Sequence, residues 1–392
     1  MALCGDMVLS KKIFALATVC AGLVSSPLSA SEDAAIAGFD KKFQLSVEKN
    51  NVPGAAYAIV HNGKIVRARG HGMRALGAEL PVTSDTVFRL ASVSKTFSAE
   101  LAAMLVAEGK FGWDDPLHKY VPAFKVKTPG HAAKLKVGNL LSHTTGLTPN
   151  AYDNMLEDGW SLDKIMPRFR QLKPMCKPGA CYGYQNIAYS FIEPVIERST
   201  GQDFHKLMES RIFAPLSMKS SSIGLEGYLS SSNRAEPHKL TRRGWYRTIV
   251  KSNYYNVAPA AGVNASVMDL AKWIRAQLGY DAEVLSPELI KTVTEKRVRT
   301  VREKRKRAWR SVLKNAHYGY GWRIYDLGDE EIVMHGGGVS GFRSLIAYSP
   351  TRDIGLVILM NAETRSIDKL GADFWATAIK SPAKRGAAKS AR

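Results

Sequence analysis

Strand-like stretches lie near both ends of the 392-residue chain and helix-like stretches lie between them. Ala55 to Val60 and Lys64 to Gly70 are two short strand-like runs. His61-Asn62-Gly63 between them carries the Asn-Gly signal of a tight hairpin. Toward the other end, Gly321 to Tyr325, Glu331 to His335, Phe342 to Tyr348 and Ile354 to Met360 read as successive strands. Their turns carry Gly328-Asp329, Gly336-Gly337-Gly338 and Pro350-Thr351-Arg352-Asp353. The middle has another period. Phe97 to Glu108, Ile187 to Ser199, Phe204 to Phe213 and Val267 to Leu278 space their apolar residues as helices do, and a last helical stretch runs from about Arg365 to Ile379. This order implies an α/β (α+β) fold: one antiparallel sheet formed from both chain ends, flanked by helices, with an inserted all-helical domain. The expected boundaries are 31–95 with 256–380 for the sheet domain and 96–255 for the insert.

The two termini have a different character. Lys11 and Lys12 precede an apolar run from Ile13 to Val24, followed by Pro27 and the small residues Ser29, Ala30 and Ser31. A run of about 12 residues is shorter than the roughly 20 that span a bilayer, but it suits a secretory signal cut near Ala30. Residues 1–30 are therefore expected to be a signal peptide and the mature protein to be periplasmic or secreted. Export would remove Cys4 and Cys20. Cys176 and Cys181, around Pro178-Gly179, would remain as a small disulfide loop or as two free thiols.

Charge narrows the partners. With 55 Lys+Arg against 35 Asp+Glu the formal charge is +20. Lys291 to Lys314 contributes +9 of it and Lys380 to Arg392 contributes +5. The excess thus sits in one segment and in a basic tail, 381–392, expected to be disordered. The first segment opens with Ser286-Pro287-Glu288, a helix start, and continues with an approximate helical stripe from Ile290 to Val312. It is expected to be a solvated helix, with an anionic envelope surface as its possible partner. No nucleic-acid-binding motif is present, and no nucleic-acid partner is expected.

Several chemistries fall away on spacing. The nine histidines never lie within four residues of one another, so no local metal signature exists and no metal or other cofactor is expected. Gly336-x-Gly338-x-x-Gly341 matches a dinucleotide fingerprint in spelling. A strand-like run follows it, however, where a pyrophosphate needs a helix N-terminus. Ser-x-x-Lys occurs six times, so spelling alone decides nothing. At the start of a helix, however, positions i and i+3 share a face, and backbone N–H groups there favour an oxyanion. Ser92 and Lys95 fit: a short run, Val87 to Ala91, precedes them, and Phe97, Leu101, Met104 and Leu105 follow at helical spacing.

Phe88-Arg89-Leu90-Ala91-Ser92-Val93-Ser94-Lys95 resembles the nucleophile segment of the serine beta-lactamase and penicillin-binding-protein superfamily, its class C and DD-peptidase branch above all. Four more segments resemble the family's motifs in the family's order. They are Leu140 to Leu147, then Pro178-Gly179 with Tyr184-Gln185-Asn186, then Tyr318 to Trp322, then His335-Gly336-Gly337 with Gly341-Phe342. The resemblance covers about residues 35 to 380. It implies that Ser92 is the nucleophile and that either Lys95 or Tyr184 is its base. It also implies that Tyr184 protonates the leaving group and that Asn186 binds Lys95 and the substrate's amide. The backbone N–H groups of Ser92 and Gly338 would form the oxyanion hole beside Gly337, and His335 would meet the Tyr184 hydroxyl or a substrate carboxylate. Ser142 and His143 would be structural. No Lys-Ser/Thr-Gly occurs, and His335 stands at that lysine's place. A neutral imidazole anchors a carboxylate more weakly than an ammonium. The resemblance therefore puts efficient beta-lactam hydrolysis below peptidase or esterase activity. A cell-wall-directed D-amino-acid peptidase or carboxypeptidase is expected, with an esterase or a beta-lactamase as alternatives and a small peptide, ester or beta-lactam as substrate. A non-catalytic penicillin- or peptide-binding protein is the alternative.

Overall fold

A computed structural model describes Met1 and residues 30–380. The expected signal peptide, up to residue 29, and the basic tail lie outside the described residues. An eight-stranded antiparallel sheet organises the rest. Its strands are β1 Gly54–His61, β2 Lys64–Gly72, β3 Val298–Arg299, β4 Leu313–Tyr318, β5 Arg323–Leu327, β6 Glu330–Val339, β7 Phe342–Ser349 and β8 Ile354–Met360, in the order β2-β1-β8-β7-β6-β5-β4-β3. The two chain ends meet at β1 and β8, with Ala55 opposite Met360 and His61 opposite Ile354.

Strand periodicity builds two cores from one sheet. In β1, Ala55, Tyr57 and Ile59 face one side while Ala56, Ala58 and Val60 face the other; in β8, Leu356 and Ile358 oppose Val357 and Leu359 in the same way. A sheet apolar on both faces must be covered on both. Helices α1 Ala30–Lys49 and α4 Ser366–Ala378 cover the first face, where Phe39 packs edge-on against Tyr57 and Phe374. Helices α2 Ser94–Ala107 and α3 Val267–Gln277 cover the second, with Phe97 stacked on Trp273.

The insert differs from the expected all-helical domain. Ser222–Ile223 pairs with Val263–Ala265, which also pairs with Phe88–Arg89, and His238–Thr241 with Gly244–Arg247 forms a hairpin. The basic segment is a second correction. Its helix runs only from Pro287 to Thr294. Val298–Arg299 then pairs with β4 at the sheet edge, and a short 3-10 turn covers Val301–Arg305. Pairing to an available strand overrides the weak helical stripe. Cys176 and Cys181 are joined in a disulfide.

Candidate active site

The nucleophile segment turns sharply where the sheet meets α2. Leu90 N–H donates to the Val263 carbonyl at 3.0 Å, and Ala91–Val93 then forms one 3-10 turn before α2 begins. Ala91 takes φ +49°, a sparsely populated region for a residue with a Cβ, and persists there because its surroundings are fixed. Ser344 Oγ donates to the Leu90 carbonyl at 2.6 Å, and Val263 N–H donates to Ser94 Oγ at 2.9 Å. Ser92 is the one residue between Thr86 and Leu105 that is not buried. It caps no helix: Leu90 and Val93 hold the cap positions of the turn and of α2, without side-chain caps.

Lys95 lies one turn on and is wholly buried. Its ammonium nitrogen donates to Asn186 Oδ1 at 2.7 Å and to the Ala260 carbonyl at 3.0 Å. Neither partner is charged. Burial pulls its pKa well below the ordinary lysine value against an opposing pull from Asp153, and Arg323 adds a lesser push in the same direction as burial. Asn186 is set in turn by donating its amide to Asp153 Oδ2 at 2.7 Å.

Tyr184 comes from the loop before Asn186. His143 holds that loop: its Nδ1 accepts from Gln185 N–H at 3.2 Å and its carbonyl accepts from Gly183 N–H at 2.8 Å. Ser142 is occupied by the Gly138 carbonyl and Thr144. Tyr184 is close enough to Ser92 for the serine side chain to act on its phenol. The Lys95 nitrogen lies 4.7 Å from its ring centroid. Burial pushes the phenol pKa up, and the Arg323 charge and the Ser92 contact pull the other way.

Gly337 and Gly338 lie on β6. That strand pairs with β5 only from Glu330 to Met334, so beyond Met334 one edge runs free of β5 and meets the Ser92 turn. A Cβ on Gly337 would lie 2.2 Å from the Leu90 carbonyl and 3.1 Å from Ser92 N, so only glycine admits this approach. Gly338, the next residue along this edge, is exposed.

His335 departs from its expected contacts. Its Nδ1 lies 2.9 Å from the Gly336 carbonyl, which can only accept, so Nδ1 carries the hydrogen. Its Nε2 then accepts from the Tyr318 hydroxyl at 3.0 Å. Burial holds the imidazole well below its ordinary pKa, aided by Arg323 and Lys95. Its ring centroid is 6.5 Å from that of Tyr184, and no N–H is left for a substrate carboxylate. His335 therefore supports Tyr318, which packs against Tyr184 and His143.

Arg323 was not legible as a site residue. Its guanidinium lies 5.4 Å from the Tyr184 ring centroid and 5.5 Å from that of Tyr318. Glu303 holds it at 2.7 Å, and Glu303 also binds Lys306 at 2.7 Å and the Tyr325 hydroxyl. One signal existed: Glu303 is the sole acid between Lys296 and Lys314. Among the described residues, no three His, Cys, Asp or Glu side chains gather as a metal site.

A buried amine one turn from a half-buried serine, a phenol beside both and a glycine edge next to them match one family in sequence as well. The Beta-lactamase family model matches residues 39–378. The chain belongs to this family. Among relatives, it is 25% identical to "Protein flp" of Staphylococcus aureus over 84% of this chain and 64% of that protein. It is also 25% identical to "Unguisins hydrolase ungD'" of Aspergillus campestris, over 83% of this chain and 61% of that one. The chain thus spans less than two thirds of these curated relatives. In structure it resembles the octameric penicillin-binding protein homologue from Pyrococcus abyssi, with a TM-score of 0.76 at 25% identity over 88% of this chain and 76% of that one. A D-stereospecific amidohydrolase from Streptomyces sp. shares the fold, with a TM-score of 0.69 at 23% identity over 87% of this chain and 98% of that one.

Proposed function

We propose that this member of the family is a serine hydrolase that works through an acyl-Ser92 intermediate on small peptides, esters or beta-lactams, and that a D-amino-acid peptidase or DD-carboxypeptidase activity is its main one. The observation that carries this is the Lys95 amine, sealed from water beside Tyr184 and partnered only by neutral oxygens. A neutral amine has two hydrogens and one lone pair. Asn186 and Ala260 take the hydrogens, and the lone pair remains to accept a proton.

In this reading Ser92 Oγ attacks the acyl carbonyl and its proton passes toward Tyr184 and Lys95. The C=O electrons move to oxygen, where the Ser92 and Gly338 N–H groups meet the developing charge. Collapse breaks the bond to the leaving amine or alcohol, which takes its proton from Tyr184. Water, losing its proton to the same pair, then attacks the ester and frees Ser92. The bound His335 offers no carboxylate anchor, which supports D-amino-acid aminopeptidase or esterase chemistry over efficient beta-lactam turnover, and a DD-carboxypeptidase would have to hold the carboxylate of its leaving amino acid elsewhere. An exported location belongs to the same proposal. So does contact of the basic segment with an anionic envelope surface, supported by the exposed side chains of Arg302, Lys304, Arg305, Arg307 and Arg310; co-sedimentation with anionic lipid vesicles tests it.

Labelling with a fluorophosphonate and a fluorescent penicillin tests the core of the proposal. The wild type is expected to carry an adduct that maps to Ser92 by mass spectrometry and is lost in Ser92→Ala. A wild type that neither probe labels overturns catalysis in favour of binding alone. D-Ala-D-Ala peptides, nitrophenyl esters and a chromogenic cephalosporin then rank the three substrates.

A further inference from the structure

Beside the oxyanion edge lies a cavity of about 450 Å³, bordered by Gly338, Val339, Asn253 and Tyr254. Neither Tyr184 nor His335 lines it. A leaving group must face Tyr184, its proton donor. The carbonyl's other substituent, the acyl side, points away from Tyr184, and an acyl chain that passes Gly338 would enter this cavity, which Ser92 itself does not line.

The cavity's charge is unbalanced. Arg89, Lys239, Lys251 and Arg343 line it against Glu157 and Glu363. Both carboxylates are engaged: Glu363 accepts from Gly341 N–H at 2.8 Å with its other oxygen 3.9 Å from Arg343, and Glu157 accepts from the Tyr254 hydroxyl at 3.3 Å. The cations are less satisfied. Lys239 and Lys251 make no ion pair among the described residues. Arg89 is 2% exposed, its guanidinium 4.0 Å over the Tyr255 ring, and its Nε and Nη2 have no hydrogen-bond partner. Arg343 donates to the Val339 and Phe342 carbonyls, which lays its guanidinium against Gly338. A buried arginine with unmet donors and two unpaired lysines across an open space form a field that an anion completes.

We infer that this cavity selects substrates whose acyl part carries a carboxylate, met by Lys251, Lys239 and Arg343 above the Arg89 floor. The inference rests on the acyl-Ser92 reading and adds the substrate class to it.

The test compares the 4-nitrophenyl monoester of adipic acid with the 4-nitrophenyl esters of hexanoic and 6-aminohexanoic acid. These acyl chains have similar length and carry a negative, no and a positive end charge. After subtraction of the Ser92→Ala rate, kcat/KM is expected to be about tenfold higher for adipyl than for hexanoyl, and lowest for 6-aminohexanoyl. Added salt is expected to narrow the gap. The double variant Lys239→Gln, Lys251→Gln is expected to lower the adipyl-to-hexanoyl ratio severalfold, Arg343 and Arg89 keeping the remainder, and Lys251→Glu to raise 6-aminohexanoyl above hexanoyl. Ser92-dependent rates that are equal for the three esters, or highest for 6-aminohexanoyl, overturn the inference and leave the acyl-Ser92 reading standing. The absence of Ser92-dependent turnover, with no Ser92 adduct, overturns both.

Discussion

Lys95 and Arg323 are both buried cations near Tyr184, at 4.7 and 5.4 Å from its ring centroid, yet burial leaves them in opposite states. Lys95 finds only an amide oxygen and a backbone carbonyl, and its pKa falls. Arg323 suffers desolvation too, but Glu303 together with the smaller pulls of Tyr182, Tyr325 and Tyr318 outweighs it, and its pKa rises. The difference lies in the partner, not the depth. A neutral partner leaves an amine free to lose its proton, whereas a carboxylate fixes the charge. The helix side of the cleft thus holds a group that can act as a base, and the sheet side holds a permanent positive charge. Where the family resemblance puts a lysine, this chain has the neutral His335, and the neighbouring strand supplies the cation.

The hardest test of that division replaces Lys95. Lys95→Met is expected to lower the acylation rate by about 10³-fold or more, read as the single-turnover release of nitrophenol. Lys95→Arg is expected to be as poor, because a guanidinium does not give up its proton. An active Lys95→Arg would show that the site needs a charge here and not a base. The pH profile sharpens the point. Because burial lowers the Lys95 pKa, activity is expected to rise with pH along an acid limb placed well below the ordinary lysine value. Arg323 helps lower that pKa, so its removal is expected to move the limb to higher pH.

Removing Arg323 also breaks an ion pair whose side chains are only 12% and 9% exposed. Arg323→Gln leaves Glu303 buried against Tyr325 without its main counter-charge, and a loss of about 3–5 kcal/mol in unfolding free energy is expected by denaturant titration. The double variant Arg323→Gln, Glu303→Gln is expected to recover part of that stability without restoring the pH profile. If it restores both, the pair is structural and Tyr184 does not sense it.

Much of this architecture is legible in the amino-acid sequence. The central strands of the main sheet follow from continuous apolar runs and the Asn62-Gly63 turn, because a strand buried on both faces leaves an unbroken apolar mark that a hairpin then delimits. Ser92 and Lys95 were legible because a helix start converts a spacing of three into a contact. The missed features depend on pairing distant in the chain. Glu303 and Arg323 lie 20 positions apart on separate elements, and Asp153 reaches Asn186 from 33 away. The hydroxyl that occupies His335 Nε2 comes from Tyr318, 17 positions away, which the neighbours of His335 do not reveal. The basic segment misled because its apolar residues roughly fit a helix, while an open edge at β4 offered Val298–Arg299 backbone partners that no local pattern records.

Acid titration tests the Glu303 side of the comparison more gently. Burial acts to raise its pKa, but Arg323 and Lys306 override that and hold it at about 2, below the ordinary 4.5. A depressed carboxylate gives stability that is complete above its unfolded value and disappears as pH falls toward its folded one. Wild type is therefore expected to lose up to about 3 kcal/mol between pH 5 and pH 2 from this group, a component absent in Glu303→Gln.

The smallest effect separates the two cations on Glu303. Lys306 sits at the same 2.7 Å as Arg323, but its side chain is 46% exposed. Water screens such a contact, and holding a long side chain in place costs conformational entropy. Lys306→Ala is expected to cost about 1 kcal/mol or less, and less again in high salt. A loss as large as that of Arg323→Gln would show that distance, and not burial, sets the strength of this pair, and would undo the contrast between Arg323 and Lys95.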